Sequence, residues 1–278
     1  MGKQYEVNMD TYEMEREVYT DVLRTSMFGI PVIGIYILGI ITGELLISSG
    51  QIFSGIGIYT INLVTIILAI IFSSTSSEEK DVLQSFMPVI LLRIITLSMP
   101  QFFASPLLQY SLIYAIMFMS IYFIVKSRNM SSKDLGIDFK RFHIYLPVGM
   151  IIGTIMAIIE YGILHPEPLI DTIGFIDVIL ISIVMFVFVG PVGEIIFRSI
   201  LQVRLEKIFN PKYAILLSGA IFGMMYSSYG MVSEVLFATT FGIVNGYIFY
   251  KTRSLPFIVL VSGTANVMVF GILPRVLI

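Results

Sequence analysis

The feature that most constrains the fold of this chain is a series of nine long apolar stretches. A helix needs about 20 mostly apolar residues to cross the hydrocarbon core of a membrane, and a helix satisfies its own backbone hydrogen bonds there. The sequence therefore predicts an all-α polytopic membrane protein with about nine transmembrane helices. The predicted spans cover residues 27–48, 52–74, 83–103, 107–126, 143–164, 175–194, 213–230, 232–250 and 255–274.

The composition agrees with a membrane protein and excludes two other classes. Hydrophobic residues make up 56% of the chain and charged residues only 13%, whereas soluble domains carry about twice that charged fraction. The net charge is −2 and there is no basic block, so the electrostatic footprint of a nucleic-acid-binding protein is missing. We expect a multi-pass protein of the cell membrane whose surroundings are the lipid bilayer, with no nucleic-acid partner.

The distribution of Lys and Arg between the loops predicts the orientation in the membrane. Basic residues concentrate in the cytoplasmic loops of membrane proteins. If the N-terminus is cytoplasmic, 15 of the 17 Lys and Arg residues fall on the inside, Arg275 alone falls outside, and Arg93 lies within a span. This bias predicts a cytoplasmic N-terminus and an outside C-terminus.

The polar segments divide the chain into four predicted parts. Residues 1–26 form a charged cytoplasmic segment, in which residues 9–25 read either as an interfacial amphipathic helix or as a solvated tail. Residues 27–126 form a four-helix N-terminal bundle. Residues 127–142 form a basic cytoplasmic linker, and residues 143–278 form a five-helix core.

Ionisable side chains within the predicted spans are the first functional candidates, because an unpaired charge is costly in hydrocarbon. For Arg93 we expect an ion pair with Glu44 or Glu160, and a substrate-binding role is the alternative. Glu44 and Asp177 lie near span ends, where their carboxylates are expected to reach the membrane interface. The main intramembrane charges are Arg93, Glu160, Glu194, Arg198 and Glu234.

The segment 189–209 carries the most information. Glu194 and Arg198 are four residues apart, which is the spacing of an ion pair on one helix face. The preceding Gly190 and Pro191 are expected to break or kink the helix, because proline removes a backbone donor and clashes with the preceding turn.

Glycines at four-residue spacing mark the seventh and eighth spans. Small residues in this pattern let the backbones of two helices approach closely. The pattern predicts tight packing of these two helices rather than a ligand site. The residues are Gly219, Gly223, Gly242 and Gly246.

Three short motifs on separate apolar segments resemble those of a known family. The first reads Gly193-Glu194-Ile195-Ile196-Phe197-Arg198, the second runs from Phe222 to Tyr226, and the third runs from Ser262 to Asn266. In type and order they are similar to the Glu-Glu-x-x-x-Arg, Phe-x-x-x-His and His-x-x-x-Asn motifs of the CPBP intramembrane proteases, which include CAAX prenyl proteases and bacteriocin-processing proteins. The resemblance covers about residues 143–278 and implies a CPBP-like helical core.

The resemblance also implies a site in which part of the chemistry is missing. The second glutamate, the arginine, the phenylalanine and the asparagine of the motifs are present as Glu194, Arg198, Phe222 and Asn266. The family's first glutamate and both histidines, which are central to its reaction, are replaced. The replacing residues are Gly193, Tyr226 and Ser262.

The residues that remain offer little for peptide hydrolysis. Glycine has no side chain that could act as a base. Tyr226 can donate a hydrogen bond to an oxyanion, whereas Ser262 has no neighbouring base in the sequence to activate it as a nucleophile. If the chain is active, Glu194 and Asn266 are the expected catalytic residues.

The chain has no cysteine and only two histidines, His143 and His165. These histidines flank one predicted span, so that about 33 Å of helix separates them. Zinc is usually held by thiolate or imidazole groups that lie close together. We therefore predict no metal site and no cofactor.

Three functions remain open at the level of the sequence. The first is a catalytically inactive CPBP homologue that binds a membrane peptide, a lipid or a partner protein in the inherited cavity. The second is a divergent intramembrane endopeptidase, in which Glu194 activates water while Tyr226 and Asn266 stabilise the tetrahedral intermediate. The third is a transporter or a structural subunit of a membrane complex, in which Arg93 and Glu160 matter more than the motifs.

Overall fold

A computed structural model describes residues 31–73, 76–99 and 105–277 of the chain. The predicted cytoplasmic segment 1–26, its residues 9–25, the start of the first predicted span and the end of the third lie outside the described residues. Within them the fold consists of nine helices, and the predicted class of an all-α polytopic membrane protein is confirmed. The helices are α1 Pro31–Ser48, α2 Ile52–Phe72, α3 Ser77–Ser98, α4 Pro106–Ser127, α5 Phe142–Leu164, α6 Phe175–Ile208, α7 Pro211–Met224, α8 Val232–Thr252 and α9 Leu255–Val276.

Eight of the nine helices in the described ranges are long and apolar enough to cross a membrane. The exception is α7, which has 14 residues and therefore spans about 21 Å, less than the thickness of about 30 Å that a hydrocarbon core presents. A single turn, Ser227–Tyr229, follows it before α8 begins. The seventh predicted span, residues 213–230, is thus a short helix with a turn rather than a full span.

Helix α6 differs from the expectation in that it passes through Gly190 and Pro191 without a break. It runs for 34 residues and contains two π-helical stretches, Val184–Val189 and Ile195–Gln202. The first of them ends directly before Gly190. A π-helical turn holds one extra residue, and here it lies where proline would otherwise disturb the regular helical hydrogen bonds. The helix is therefore not broken at this point, because it continues through the π turn, while the alternative expectation of a kink stays a prediction.

Helix ends follow ordinary capping chemistry. The Ser76 side chain accepts a hydrogen bond from the Glu79 backbone nitrogen, and the Glu79 carboxylate accepts one from the Ser76 nitrogen. This reciprocal capping box starts α3. Asn210 caps α7, whose first residue is Pro211, a position where the missing N–H of proline costs nothing.

Helix α6 is the centre of the packing. It contacts α3 and α4 from the N-terminal half and α7 and α9 from the C-terminal half. The helix pairs with the most extensive contacts are α7 with α8 and α9 with α5. A Cβ atom built on Gly223 would lie 2.6 Å from the Thr239 backbone nitrogen, and one on Gly242 would lie 3.0 Å from the Gly219 Cα. The predicted close packing of α7 and α8 is confirmed at these glycines. Gly246 faces Gln202 of α6 as well.

The segment between α4 and α5 folds into turns that contact the core. The Ser199 hydroxyl donates to the Leu135 carbonyl oxygen at 2.7 Å, and the Leu255 nitrogen donates to the Gly136 carbonyl oxygen at 2.7 Å. At the exposed end of this segment, hydrogen bonds from Ser131 hold the pKa of Asp134 below its usual value. The predicted linker therefore packs against α6 and α9 through these hydrogen bonds. Its role as a domain boundary stays a prediction.

Candidate functional site

Helix α6 places a charged pair in the interior of the protein. Glu194 is 3% exposed and Arg198 is 0% exposed, and the Arg198 Nε lies 3.4 Å from the Glu194 Oε2. The ion pair that the four-residue spacing predicted is confirmed. At this distance the pair is held by charge rather than by a well-formed hydrogen bond.

Neighbouring helices complete the surroundings of this pair. The Asn245 side chain of α8 donates to the Glu194 Oε1 at 2.9 Å. The Arg198 Nη1 donates to the Ser218 hydroxyl of α7 at 3.0 Å. Neither Asn245 nor Ser218 was predicted from the sequence, although Asn245 stands out as a polar residue between two glycines of an apolar helix.

Two phenylalanine rings cover the Arg198 guanidinium. Its central carbon lies 5.9 Å from the Phe197 ring centroid and 5.3 Å from the Phe222 centroid. The rings pack edge to face at 5.1 Å. Cation–π contacts of this kind stabilise a buried guanidinium, so the retained phenylalanine of the second motif supports the retained arginine of the first.

A cavity of about 60 Å³ lies beside the pair, and the three motifs meet there. A Cβ atom built on Gly193 would have no heavy atom within 4 Å, so this position opens into the cavity. Arg198 lies behind the cavity wall. The motif residues that line the cavity are Gly193, Glu194, Phe222, Tyr226, Ser262 and Asn266.

The residues at the replaced positions have partners of their own. The Ser262 hydroxyl donates to the Ile258 carbonyl oxygen at 3.1 Å and lies close enough to Glu194 to interact with its carboxylate. The Tyr226 ring packs against the rings of Phe222 and Tyr229. These contacts hold the Ser262 and Tyr226 side chains in place as parts of the cavity wall.

Glu160 of α5 lines the same cavity, which the sequence did not predict. It is 4% exposed, and among the described residues no hydrogen bond or ion pair reaches its carboxylate. Glu234 of α8 is near enough for the two charges to interact. Both Glu234 carboxylate oxygens are buried without a hydrogen-bond partner in the described part of the chain.

Arg93 of α3 pairs with Glu44 of α1 and not with Glu160. Its Nε and Nη2 donate to the two Glu44 carboxylate oxygens at 2.6 Å each. Tyr59 of α2 and Ser227, which follows α7, also donate to this carboxylate. Glu44 is 4% exposed, so the expectation that it reaches the membrane interface is wrong: three neighbouring segments enclose it and Arg93 balances its charge.

A larger cavity of about 350 Å³ adjoins the first. The N-terminal helices contribute Arg93, Tyr110 and Tyr114 to its wall. The helices before α5 are therefore part of the site's surroundings. The two cavities share the lining residues Tyr114, Val189, Gly193, Phe222, Tyr226 and Asn266.

The two histidines lie away from both cavities. His143 is the second residue of α5 and His165 directly follows its last residue, and both are exposed. Within the described ranges, no three His, Cys, Asp or Glu side chains come together in a way that could hold a metal ion. The donors around the cavity therefore do not fit a zinc site, which needs at least three such ligands.

A comparison with protein-family models matches residues 175–268 to the type II CAAX prenyl endopeptidase Rce1-like family. The matched part comprises α6, α7, α8 and most of α9, so it contains all three motifs. It is shorter than the range 143–278 that the resemblance was expected to cover. Searches of the curated proteins and of the solved structures returned no significant match.

Residues 175–268 of the chain thus match an Rce1-like domain, and this match is consistent with the CPBP family. The predicted resemblance to this family is confirmed over these residues. The match and the eight apolar helices together define a multi-pass membrane protein.

Proposed function

We propose that this chain is a catalytically inactive CPBP homologue that uses its cavity to bind a membrane peptide, a lipid or a partner protein. One observation carries the proposal. The three positions at which the family's reactive side chains are expected, Gly193, Tyr226 and Ser262, all line the small cavity. None of these three residues bears a carboxylate or an imidazole, so the side chains with which the family is expected to perform general acid–base catalysis are missing at these positions.

A cleavage assay tests the loss of activity. The purified chain in lipid nanodiscs is incubated with a prenylated CAAX-type peptide and with a transmembrane peptide. We expect no more cleavage than with Glu194→Ala. Cleavage by the unmodified chain that disappears in Glu194→Ala would overturn the proposal.

Restoring the family residues provides a positive control. The triple variant Gly193→Glu, Tyr226→His, Ser262→His is expected to gain cleavage, since the Cβ position at Gly193 is unobstructed. The matched control replaces Gly193 by Gln in the same background, which keeps the shape and removes the carboxylate. A gain in the first variant and none in the second supports an intact cavity in an inactive protein.

Filling the cavity tests the binding role. Gly193→Phe places a ring in the cavity, whereas Gly57→Phe places the same ring on an exposed position of α2 that is equally unobstructed. Native mass spectrometry of the purified protein should show a retained ligand that is lost only in Gly193→Phe. Equal retention in both variants would contradict a ligand in this cavity.

The presence of Glu160 in the cavity favours one further candidate, a divergent intramembrane endopeptidase. Glu194 would accept a proton from water while the hydroxide adds to the scissile carbonyl. Glu160 would then donate a proton to the leaving amine as the C–N bond breaks, a division of labour that two carboxyl groups allow. Cleavage that is lost in both Glu160→Gln and Glu194→Gln, and kept in the exposed control Glu167→Gln, would favour this candidate over the inactive protein.

A further inference from the structure

The small cavity has the lining expected for a positively charged ligand group. Glu160 is buried, has no partner among the described residues and lines the cavity. Arg198 balances the charge of Glu194, and Glu44 balances that of Arg93. Glu160 is therefore the acidic group of the wall that has no basic partner among the described residues, and the buried carboxyl group of Glu234 is a second one nearby.

Aromatic side chains make up much of the remaining wall. Aromatic rings attract a cation through their negative faces, and rings combined with a carboxylate suit an organic ammonium group. A metal ion would need several oxygen ligands instead. The rings that line the small cavity are Tyr114, Phe222, Tyr226, Phe237 and Phe241.

The size of the two cavities defines the rest of the ligand. About 60 Å³ is enough for the head of a primary amine, whose three N–H groups can reach oxygen atoms of the wall such as those of Glu160 and Asn266. The adjoining cavity of about 350 Å³ carries apolar residues and lies at the lower end of the size range of small-molecule sites. Its apolar lining includes Leu92, Leu97, Ile113 and Met185.

We infer that the joined cavities bind an amphiphile with a primary ammonium head, which Glu160 and the surrounding rings hold, and an alkyl chain, which the larger cavity holds. The inference rests on the proposed function, in that it names the chemistry of the ligand. Two sources share this chemistry: the headgroup of an aminophospholipid and a free chain amine.

Calorimetry with octylammonium and octanol tests the inference on the full chain in phosphatidylcholine nanodiscs. The two probes share the chain and differ in the charge of the head. We expect octylammonium to bind at least about tenfold more tightly than octanol, a difference of about 1.4 kcal/mol. Equal affinities would overturn the inference, because the cavity would then select the chain alone.

Two variants connect the binding to the cavity. Glu160→Gln should weaken octylammonium binding about tenfold or more and leave octanol unaffected, whereas the exposed Glu167→Gln should behave like the unmodified chain. Phe237→Leu should weaken octylammonium binding about threefold. Far-UV circular dichroism verifies that each variant is folded. Unchanged affinity in both cavity variants would place the amine elsewhere and overturn the inference.

A lipid-retention experiment distinguishes the two sources of the ammonium group, an aminophospholipid and a free chain amine. The chain is transferred to nanodiscs that contain phosphatidylethanolamine and phosphatidylcholine, and retained lipids are identified by native mass spectrometry. Selective retention of phosphatidylethanolamine assigns the head to a lipid, and octylammonium binding without such retention assigns it to a free amine. Peptide cleavage does not enter these measurements, so the loss of activity and the ammonium site can fail independently.

Discussion

Two buried Glu–Arg pairs in this protein contrast with each other. The Glu44–Arg93 pair joins two helices through two hydrogen bonds of 2.6 Å, with Tyr59 and Ser227 as further donors. The Glu194–Arg198 pair lies on one helix at 3.4 Å. In the second pair the Glu194 Oε2 and the Arg198 Nε and Nη2 have no hydrogen-bond partner in the described part of the chain.

The difference indicates a structural role for the Glu44–Arg93 pair and a place in the candidate functional site for the Glu194–Arg198 pair. A buried charge is tolerated when a partner and further hydrogen bonds replace the lost water, and the Glu44 pair meets this condition within the protein. The second pair is incompletely satisfied and borders a cavity. Groups that the protein itself leaves without partners are available to water or to a ligand.

Among the variants of these pairs, the largest loss in the free energy of unfolding is expected when the Glu44–Arg93 pair is broken. Arg93→Met leaves the Glu44 carboxylate buried without its counter-ion, and we expect a loss of about 3–5 kcal/mol in the free energy of unfolding. The double variant Glu44→Gln, Arg93→Met removes both charges and should lose less. Chemical denaturation in detergent, followed by circular dichroism, measures both. A loss below about 1 kcal/mol in the single variant would deny the pair its structural role.

A smaller effect is expected from the one strong hydrogen bond of the second pair. Asn245→Ala removes the donor to Glu194 and should cost about 1–3 kcal/mol, because a buried carboxylate loses a partner. Asn266→Ala is the matched control, since Asn266 lines the cavity without a hydrogen-bond partner among the described residues, and should change stability by less than about 0.5 kcal/mol. Similar losses in the two variants would remove the distinction between them.

Glu160 offers a test with the opposite sign. Glu160→Gln removes a buried acidic group that has no counter-ion among the described residues, and it should leave the free energy of unfolding unchanged or raise it by up to about 1 kcal/mol. Glu44→Gln at the satisfied pair should instead lower stability. Melting midpoints of the two variants, compared under one condition, give the sign. Destabilisation by Glu160→Gln would point to a partner that the cavity wall does not reveal.

The smallest effect is expected at a half-exposed ion pair. The Lys207 Nζ lies 3.7 Å from the Asp81 carboxylate, and its side chain is 48% exposed. Lys207→Met should change stability by no more than about 0.5 kcal/mol, because water and salt screen such pairs. Denaturation at low and at high salt measures the difference. A loss comparable with that of Arg93→Met would erase the contrast between buried and exposed pairs.

Much of the fold was predictable because hydropathy is a local property. The apolar stretches predicted the helices, and the spacing of Glu194 and Arg198 predicted their ion pair. The continuity of α6 through Pro191 was not predictable, since it depends on a π-helical turn that no residue type specifies. The predicted orientation in the membrane stays a prediction.

The motif residues of the site could be predicted from the sequence, whereas the residues that other helices contribute could not. The motif order suggested that Gly193, Tyr226 and Ser262 share one site, and all three line the small cavity. Glu160 and Asn245 come from α5 and α8, outside the motifs. Their contribution depends on how these helices are rotated against α6, and hydropathy does not encode that rotation.

The sequence by itself determined that this is a helical membrane protein and that the positions of the family's first glutamate and histidines carry no carboxylate or imidazole. Both conclusions depend on residue types along the chain. Only the tertiary structure decided which charges meet: Arg93 pairs with Glu44 across 49 positions, while Glu160 lies in the cavity without a partner in the described ranges. The physical reason is that a buried charge is stabilised by neighbours in space, and helix packing alone brings distant residues within a few ångströms of each other.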